Sequence, residues 1–167
     1  MNAYKFLRSD GLGVFTGFRW SLPNGRPGEW VRSDVDPCRS GVHACRPLHL
    51  PLWIGHALYE IELGGHVVEA PAKVVASRGR LVRRVDAWDE DTYGQYTRMC
   101  ADRAHELARA HALDAWDAVI EPSIPEGGAL LGFVAARIAE EIDGEDGYQR
   151  ERAGQTDWLV ERLQLRS

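Results

Sequence analysis

Residues Ala57-Leu58-Tyr59-Glu60-Ile61-Glu62-Leu63 alternate, with Ala57, Tyr59, Ile61 and Leu63 on one side of an extended chain and Glu60 and Glu62 on the other. That period-two pattern belongs to a strand buried on one face. Gly64-Gly65 follows and predicts a hairpin turn, with His66 to Glu69 returning as the partner strand. Lys73 to Ala76 and Arg80 to Val85 add two further β-rich runs. Upstream, Tyr4 to Leu7 predicts a strand that ends in the turn Ser9-Asp10-Gly11-Leu12-Gly13. In Val14 to Trp20, Val14, Thr16, Phe18 and Trp20 share one face and predict another strand. Leu22 to Gly28 reads as a loop by its Pro and Gly content, and Trp30-Val31 begins a further short strand.

At Trp88 the period changes. Asp89 suits a helix N-cap, and Tyr96, Met99, Cys100, Arg103 and Leu107 follow helical spacing to about Ala112. A second helix is predicted from Gly128 to Ile142, with Leu131, Val134, Ala135, Ile138 and Ile142 on one stripe and Gly144 as its stop. A third is predicted from Tyr148 to Leu163, weakened at Gly154. Strands followed by helices define an α+β fold. The expectation is a single domain over 1–167, with a β-rich half (3–88) and a helical half (89–167). Its twisted antiparallel sheet of about six short strands is expected to be covered by about three C-terminal helices.

Composition sets the function classes. Hydrophobic residues make up 44% and charged residues 27%, as in an ordinary globular protein, and the net charge of −5 exerts no general pull towards nucleic acid or anionic membrane. No run approaches the roughly 18 apolar residues of a membrane span, and Met1-Asn2-Ala3-Tyr4-Lys5 lacks the apolar core of a signal peptide, so the cytoplasm is the expected location. Three cysteines form an odd, sparse set that implies no disulfide framework.

The densest chemistry lies in Cys38-Arg39-Ser40-Gly41-Val42-His43-Ala44-Cys45. Cys38, His43, Cys45 and His49 are all zinc-capable, but they fall in one segment instead of the two separated pairs that structural zinc prefers. A cysteine with His43, oriented by Glu60, gives the ingredients of a thiolate–imidazole pair, against the plainer reading of a buried thiol beside a core histidine. Glu60 and Glu62 fit either acid–base or ribose-binding work, or the solvated face of a strand. Arg78, Arg80, Arg83 and Arg84 form the one basic cluster, and ion pairing with Asp86, Asp89, Glu90 and Asp91 is its expected use. Phe18, Trp20, Trp30 and Trp53 flank the cysteine–histidine segment and supply walls for a pocket floored by His43.

Tyr4-Lys5, Gly17-Phe18-Arg19-Trp20, Cys38-x-x-Gly41-x-His43-x-Cys45, Leu50 to Trp53 and Leu58-Tyr59-Glu60-Ile61-Glu62-Leu63-Gly64 occur in that order. Together they resemble an uncharacterised domain family of phage and actinobacterial proteins over roughly residues 3 to 88. The resemblance implies a fold unit with a focal motif, and no activity. More distantly, Gly41-Val42-His43-Ala44, the stretch to Trp53 and Tyr59 to Gly64 are similar to the nicotinamide-pocket elements of ADP-ribosyltransferase-like folds, with His43 where that fold often carries a tyrosine. This likeness implies NAD as a ligand, although Tyr4-Lys5-Phe6 replaces that fold's His-Gly or Arg-Gly pair.

The leading expectation is a small ligand-binding or regulatory domain whose pocket uses Trp20, Gly41, His43 and Tyr59. The alternatives are a nucleotide-using enzyme with catalytic candidates His43, Glu60 and Glu62, and a protein–protein interaction module in which the motif is a packed corner.

Overall fold

The computed structural model describes residues 2–36 and 39–166. The fold is α+β, an antiparallel sheet of five strands followed by helices. The chain divides into two compact units, Met1–Trp88 with Leu165–Ser167, and Asp89–Gln164. The division falls where the strand repeat gives way to the helix repeat.

The first unit holds β1 (Asn2–Leu7), β2 (Val31–Arg32), β3 (Val42–Ala44), β4 (Ala57–Ala70) and β5 (Lys73–Arg84). β4 and β5 form one long hairpin, β1 pairs with β4, and β2 and β3 pair with β5, all antiparallel. Cys45, directly after β3, exchanges both backbone hydrogen bonds with Tyr4 of β1 at 2.8 Å. The pairings thus close into a ring, β1–β4–β5–β3–β1, and β1 has a partner on each side at Tyr4. This closure carries the residues around Lys5 to those around His43.

Two features depart from the expected strands. Gly64-Gly65 is a bulge inside a continuous β4, and the hairpin turns at Pro71-Ala72, so the His66–Glu69 run is the second half of β4. Gly65 has φ +74°, and a Cβ there would stand 2.2 Å from Ser77 Oγ, which accepts from His66 N at 3.0 Å. A glycine with positive φ serves a bulge as well as a turn, and continued pairing out to Ala70↔Lys73 decides for the bulge. Lys73–Ala76 and Arg80–Val85 likewise merge into the single strand β5, which stops at Arg84. The second departure is Val14–Trp20, which is a folded loop and not a strand. Gly13 N donates to Phe18 O, Gly17 N to Gly13 O, and Gly17 takes φ +63°. The alternating aromatics of this segment serve a loop wall.

The predicted inner face of β4 is the core face. Ala57, Tyr59, Ile61 and Leu63 are buried together with Leu7, Val42, Val74 and Leu81. Each fully buried large aliphatic side chain contributes about 1.5–3 kcal/mol. Trp88 is fully buried, donates from Nε1 to Gly55 O at 2.9 Å and meets Phe6 edge-on at 5.6 Å. Arg166 N donates to Tyr4 Oη at 2.9 Å, and Tyr4 Oη donates to Arg166 O at 3.2 Å, tying the chain's end into this unit.

The second unit comprises α1 (Glu90–Ala110), α2 (Asp117–Ser123) and α3 (Gly128–Leu163). Asp89 caps α1, its Oδ1 accepting from Thr92 N at 2.8 Å. The buried stripe of α1 is Thr92, Tyr96, Cys100, Ala104 and Ala108, at strict four-residue spacing. Gly144 ends the first half of α3 with φ 63° and ψ −156°, and helical geometry resumes directly after it. The short α2, with Pro122 inside it, is absent from the sequence-based expectation. No helix among the described residues is long and apolar enough to cross a membrane.

Candidate functional site: an aromatic pocket with a cationic lining

The ring closure of the first unit creates a pocket of about 390 Å³ between β1, β3 and the loop that carries Gly13 to Trp20. This lies within the range of small-molecule sites. Tyr4, Phe6, Phe15, Phe18, Trp20 and Trp53 form its aromatic lining. Phe15 meets Trp53 edge-on at 5.7 Å, and Phe18 meets Trp20 at 5.5 Å. Trp53 is fixed from behind, since its Nε1 donates to Ala72 O at 2.7 Å.

Gly41 opens β3 with φ +120°, and its N donates to Ser33 Oγ at 3.1 Å. A Cβ at this position would lie 2.4 Å from Val75 Cγ1. The glycine therefore lets β3 approach β5 closely and hold the next residues at the pocket. Two residues on, the His43 ring lines the pocket, half-buried. Burial lowers its pKa, and the nearby charges of Lys73 and Lys5 push the same way, against a hydrogen bond to the Ser40 backbone. The imidazole is thus neutral at pH 7. Its Nε2 is buried and has no hydrogen-bond partner among the described residues.

Lys5 reaches the same site from β1. Its Nζ donates to His43 O at 2.6 Å and lies 5.1 Å from the centre of the Trp20 ring. Burial lowers its pKa to about 8, while the Cys45 thiol pulls weakly upward. Cys45 Sγ donates to Tyr4 O at 3.3 Å, and burial pushes the thiol up to about 12, with Lys5 opposing. At neutral pH Cys45 is a protonated packing thiol, and it lacks the thiolate that a nucleophile needs.

Lys5, Arg32, Arg39 and Lys73 give the pocket four cationic side chains. No Asp or Glu is among the described residues that line it, in a chain with 25 acidic residues and a net charge of −5. Lys5, Arg32, Arg39, Lys73 and Phe15 are lining residues that sequence reasoning did not assign to the pocket. A signal existed, because the chain contains two lysines against eighteen arginines, and both lysines line this pocket.

Other candidates sit elsewhere. Tyr59 belongs to the core and does not line the pocket. Glu60 accepts from Arg83 Nε and Glu62 from Arg80 Nε, each at 2.8 Å, so the two carboxylates occupy an ion-pair ladder across β4 and β5. Trp30 is also absent from the lining and stacks under Arg78 and Arg80 at 4.9 and 4.7 Å. Of the arginine cluster, Arg84 alone has a partner in the acidic run that follows, Asp86 at 3.9 Å. His49 lies on the 3-10 helix Pro47–Leu52, off the pocket, and Cys38 lies outside the described residues. Among the described residues no three His, Cys, Asp or Glu side chains are grouped to hold a metal ion.

No protein-family model, curated protein or solved structure matches this chain.

Proposed function

We propose that the first unit is a binding domain for a small anion with a flat, apolar body, such as an aromatic carboxylate, and that the site centres on His43 and Lys5. The observation that carries this reading is the lining itself, six aromatic and four cationic side chains and, among the described residues, no carboxylate. Aromatic faces take an apolar ring. Lys5, Lys73 and the two arginines supply the countercharge. The ribose-binding role considered for Glu60 and Glu62 has no part in this reading, because both are engaged by arginines away from the pocket.

The test is a thermal-shift series with benzoate, 1-naphthoate and their amide and amine analogues, on the wild type and on His43→Ala. Ligand at a hundred times its Kd stabilises the folded state by about 2.7 kcal/mol, a rise of several degrees. The carboxylates are expected to raise the wild-type melting temperature, with the amines inert and the response reduced at least tenfold in affinity in His43→Ala. Equal responses to amine and carboxylate, or none to either, would sink the reading.

A further inference from the structure

Lys5 is poorly housed for a permanent cation. Its amine has one protein acceptor, the neutral His43 carbonyl at 2.6 Å, and an aromatic face at 5.1 Å. No carboxylate lines the pocket among the described residues. A carboxylate partner is how a structural ammonium is ordinarily retained out of water. A neutral amine fits these surroundings better, and a neutral amine inside an aromatic pocket is a nucleophile towards carbonyl carbon. With the group titrating at about 8, roughly a tenth of it is unprotonated at pH 7, against a far smaller fraction for a solvated lysine.

Resting on the binding reading above, we propose that Lys5 forms an imine with its ligand, so that the ligand class is an aromatic or apolar aldehyde or ketone that also bears an anionic group. The Nζ lone pair attacks the carbonyl carbon, a C–N bond forms, and the former carbonyl oxygen takes up the proton that the nitrogen releases. The carbinolamine then loses its C–O bond as water departs, and the nitrogen gives up its second proton to complete the C=N bond. One amine and one carbonyl give one imine and one water, with no change of oxidation state. The cationic rim holds the anionic end of the ligand, and Phe18 and Trp20 flank its ring.

The probe is 4-carboxybenzaldehyde with sodium cyanoborohydride at pH 7.5, which reduces any imine to a stable carboxybenzyl amine. The expected result is one adduct per chain, assigned by peptide mapping to Lys5 and formed at least tenfold faster than at any other amine. Excess benzoate should suppress it, and Lys5→Arg should abolish it. The map on the wild-type protein decides the position even if Lys5→Arg fails to fold. A benzoate-induced thermal shift with no adduct, or with adduct at Lys73, overturns the imine and leaves anion binding standing. Adduct at Lys5 that benzoate does not suppress overturns the link between the amine and the pocket ligand. Neither shift nor adduct overturns both readings.

Discussion

Lys5, half-buried in the first unit, and Arg152, buried in the second, are cations whose surroundings differ in kind. Arg152, 8% exposed, donates to Gln155 Oε1 at 3.0 Å and to Tyr148 Oη at 3.4 Å, and it lies over the Phe133 and Tyr148 rings. Gln155 passes the network on, donating to Gly132 O at 2.9 Å and to Glu151 Oε1 at 3.2 Å, and Glu151 Oε2 accepts from Arg103 Nε at 3.0 Å. Lys5 has one carbonyl and one ring, next to an imidazole nitrogen with no partner among the described residues. A buried polar group without its full set of partners is costly, so a fold that retains one either uses it or loses stability for it. The contrast separates a polar network closed among its own side chains from a pair with few protein partners.

The sharpest way to break this comparison is to remove the acid of the closed network. Glu151→Ala takes an acceptor from both Arg103 and Gln155, although Arg103 keeps Glu106 at 2.8 Å. Loss of a buried charged acceptor is expected to cost about 2–3 kcal/mol, read from the urea midpoint of the helical circular dichroism signal. The benzoate response of the pocket should survive at temperatures where the variant is folded. An unchanged midpoint would mean that the network contributes no more than the open site does.

The open site should behave in the opposite sense. Lys5→Met at pH 7 removes an uncompensated charge and one hydrogen bond together, and its stability is expected within about 1 kcal/mol of wild type. The pH dependence carries the sign. Burial lowers the amine from its ordinary 10.5 to about 8 in the folded chain, so between those values the unfolded chain binds a proton that the folded chain has released. Rising pH therefore favours the folded wild type in that window, and the advantage is lost as pH falls through 8. The difference in unfolding free energy between wild type and Lys5→Met should grow in the wild type's favour by about 2 kcal/mol from pH 7.5 to 10. Taking the difference matters, because Cys45 and Cys100, both held up to about 12 when folded, pull both proteins the other way above their ordinary range. The charged or titratable neighbours of Lys5 among the described pocket residues are Tyr4, His43, Cys45, Lys73, Arg32 and Arg39, and Tyr4, raised by burial, acts alike in both proteins. His43, lowered already, is neutral throughout the window, and a flat difference would place the Lys5 amine in water.

Sequence patterns exposed what depends on local repeat and hid what depends on closure. The alternation of Ala57, Tyr59, Ile61 and Leu63, the switch of period at Trp88 and the cap at Asp89 are properties of neighbouring residues, and each is found in the structure. Gly64-Gly65 reads as a turn in the sequence and is a bulge in the structure, because both ask the same backbone freedom of glycine and only pairing with β5 decides between them. Val14 to Trp20 has strand periodicity without a strand to pair with over its length, so its aromatics turn to the pocket instead. The segment around Gly41 and His43 was legible as a focus because small, aromatic and ionisable side chains crowd there. Lys5 was not, since its surroundings are assembled from Trp20, His43 and Cys45 by the Tyr4–Cys45 closure, a pairing across 41 residues.

The smallest expected effect tests the carboxylates that the comparison leaves out. Glu60 and Glu62 face Arg83 and Arg80 across the β4–β5 ladder, and the side chains of the two arginines are 54% and 32% exposed. Ion pairs so open to water are worth about 0–1 kcal/mol, and glutamine keeps one acceptor oxygen for the arginine. Glu60→Gln and Glu62→Gln are each expected to stay within about 1 kcal/mol of wild type and to leave the benzoate-induced shift unchanged, as measured in the same thermal series. Their stability difference should also shrink further at high salt, which screens exposed charges. A glutamine variant that folds normally but loses the ligand response would bring its carboxylate into the site. The pocket would then no longer be purely cationic, and an acidic contact such as a ribose hydroxyl requires would return to consideration.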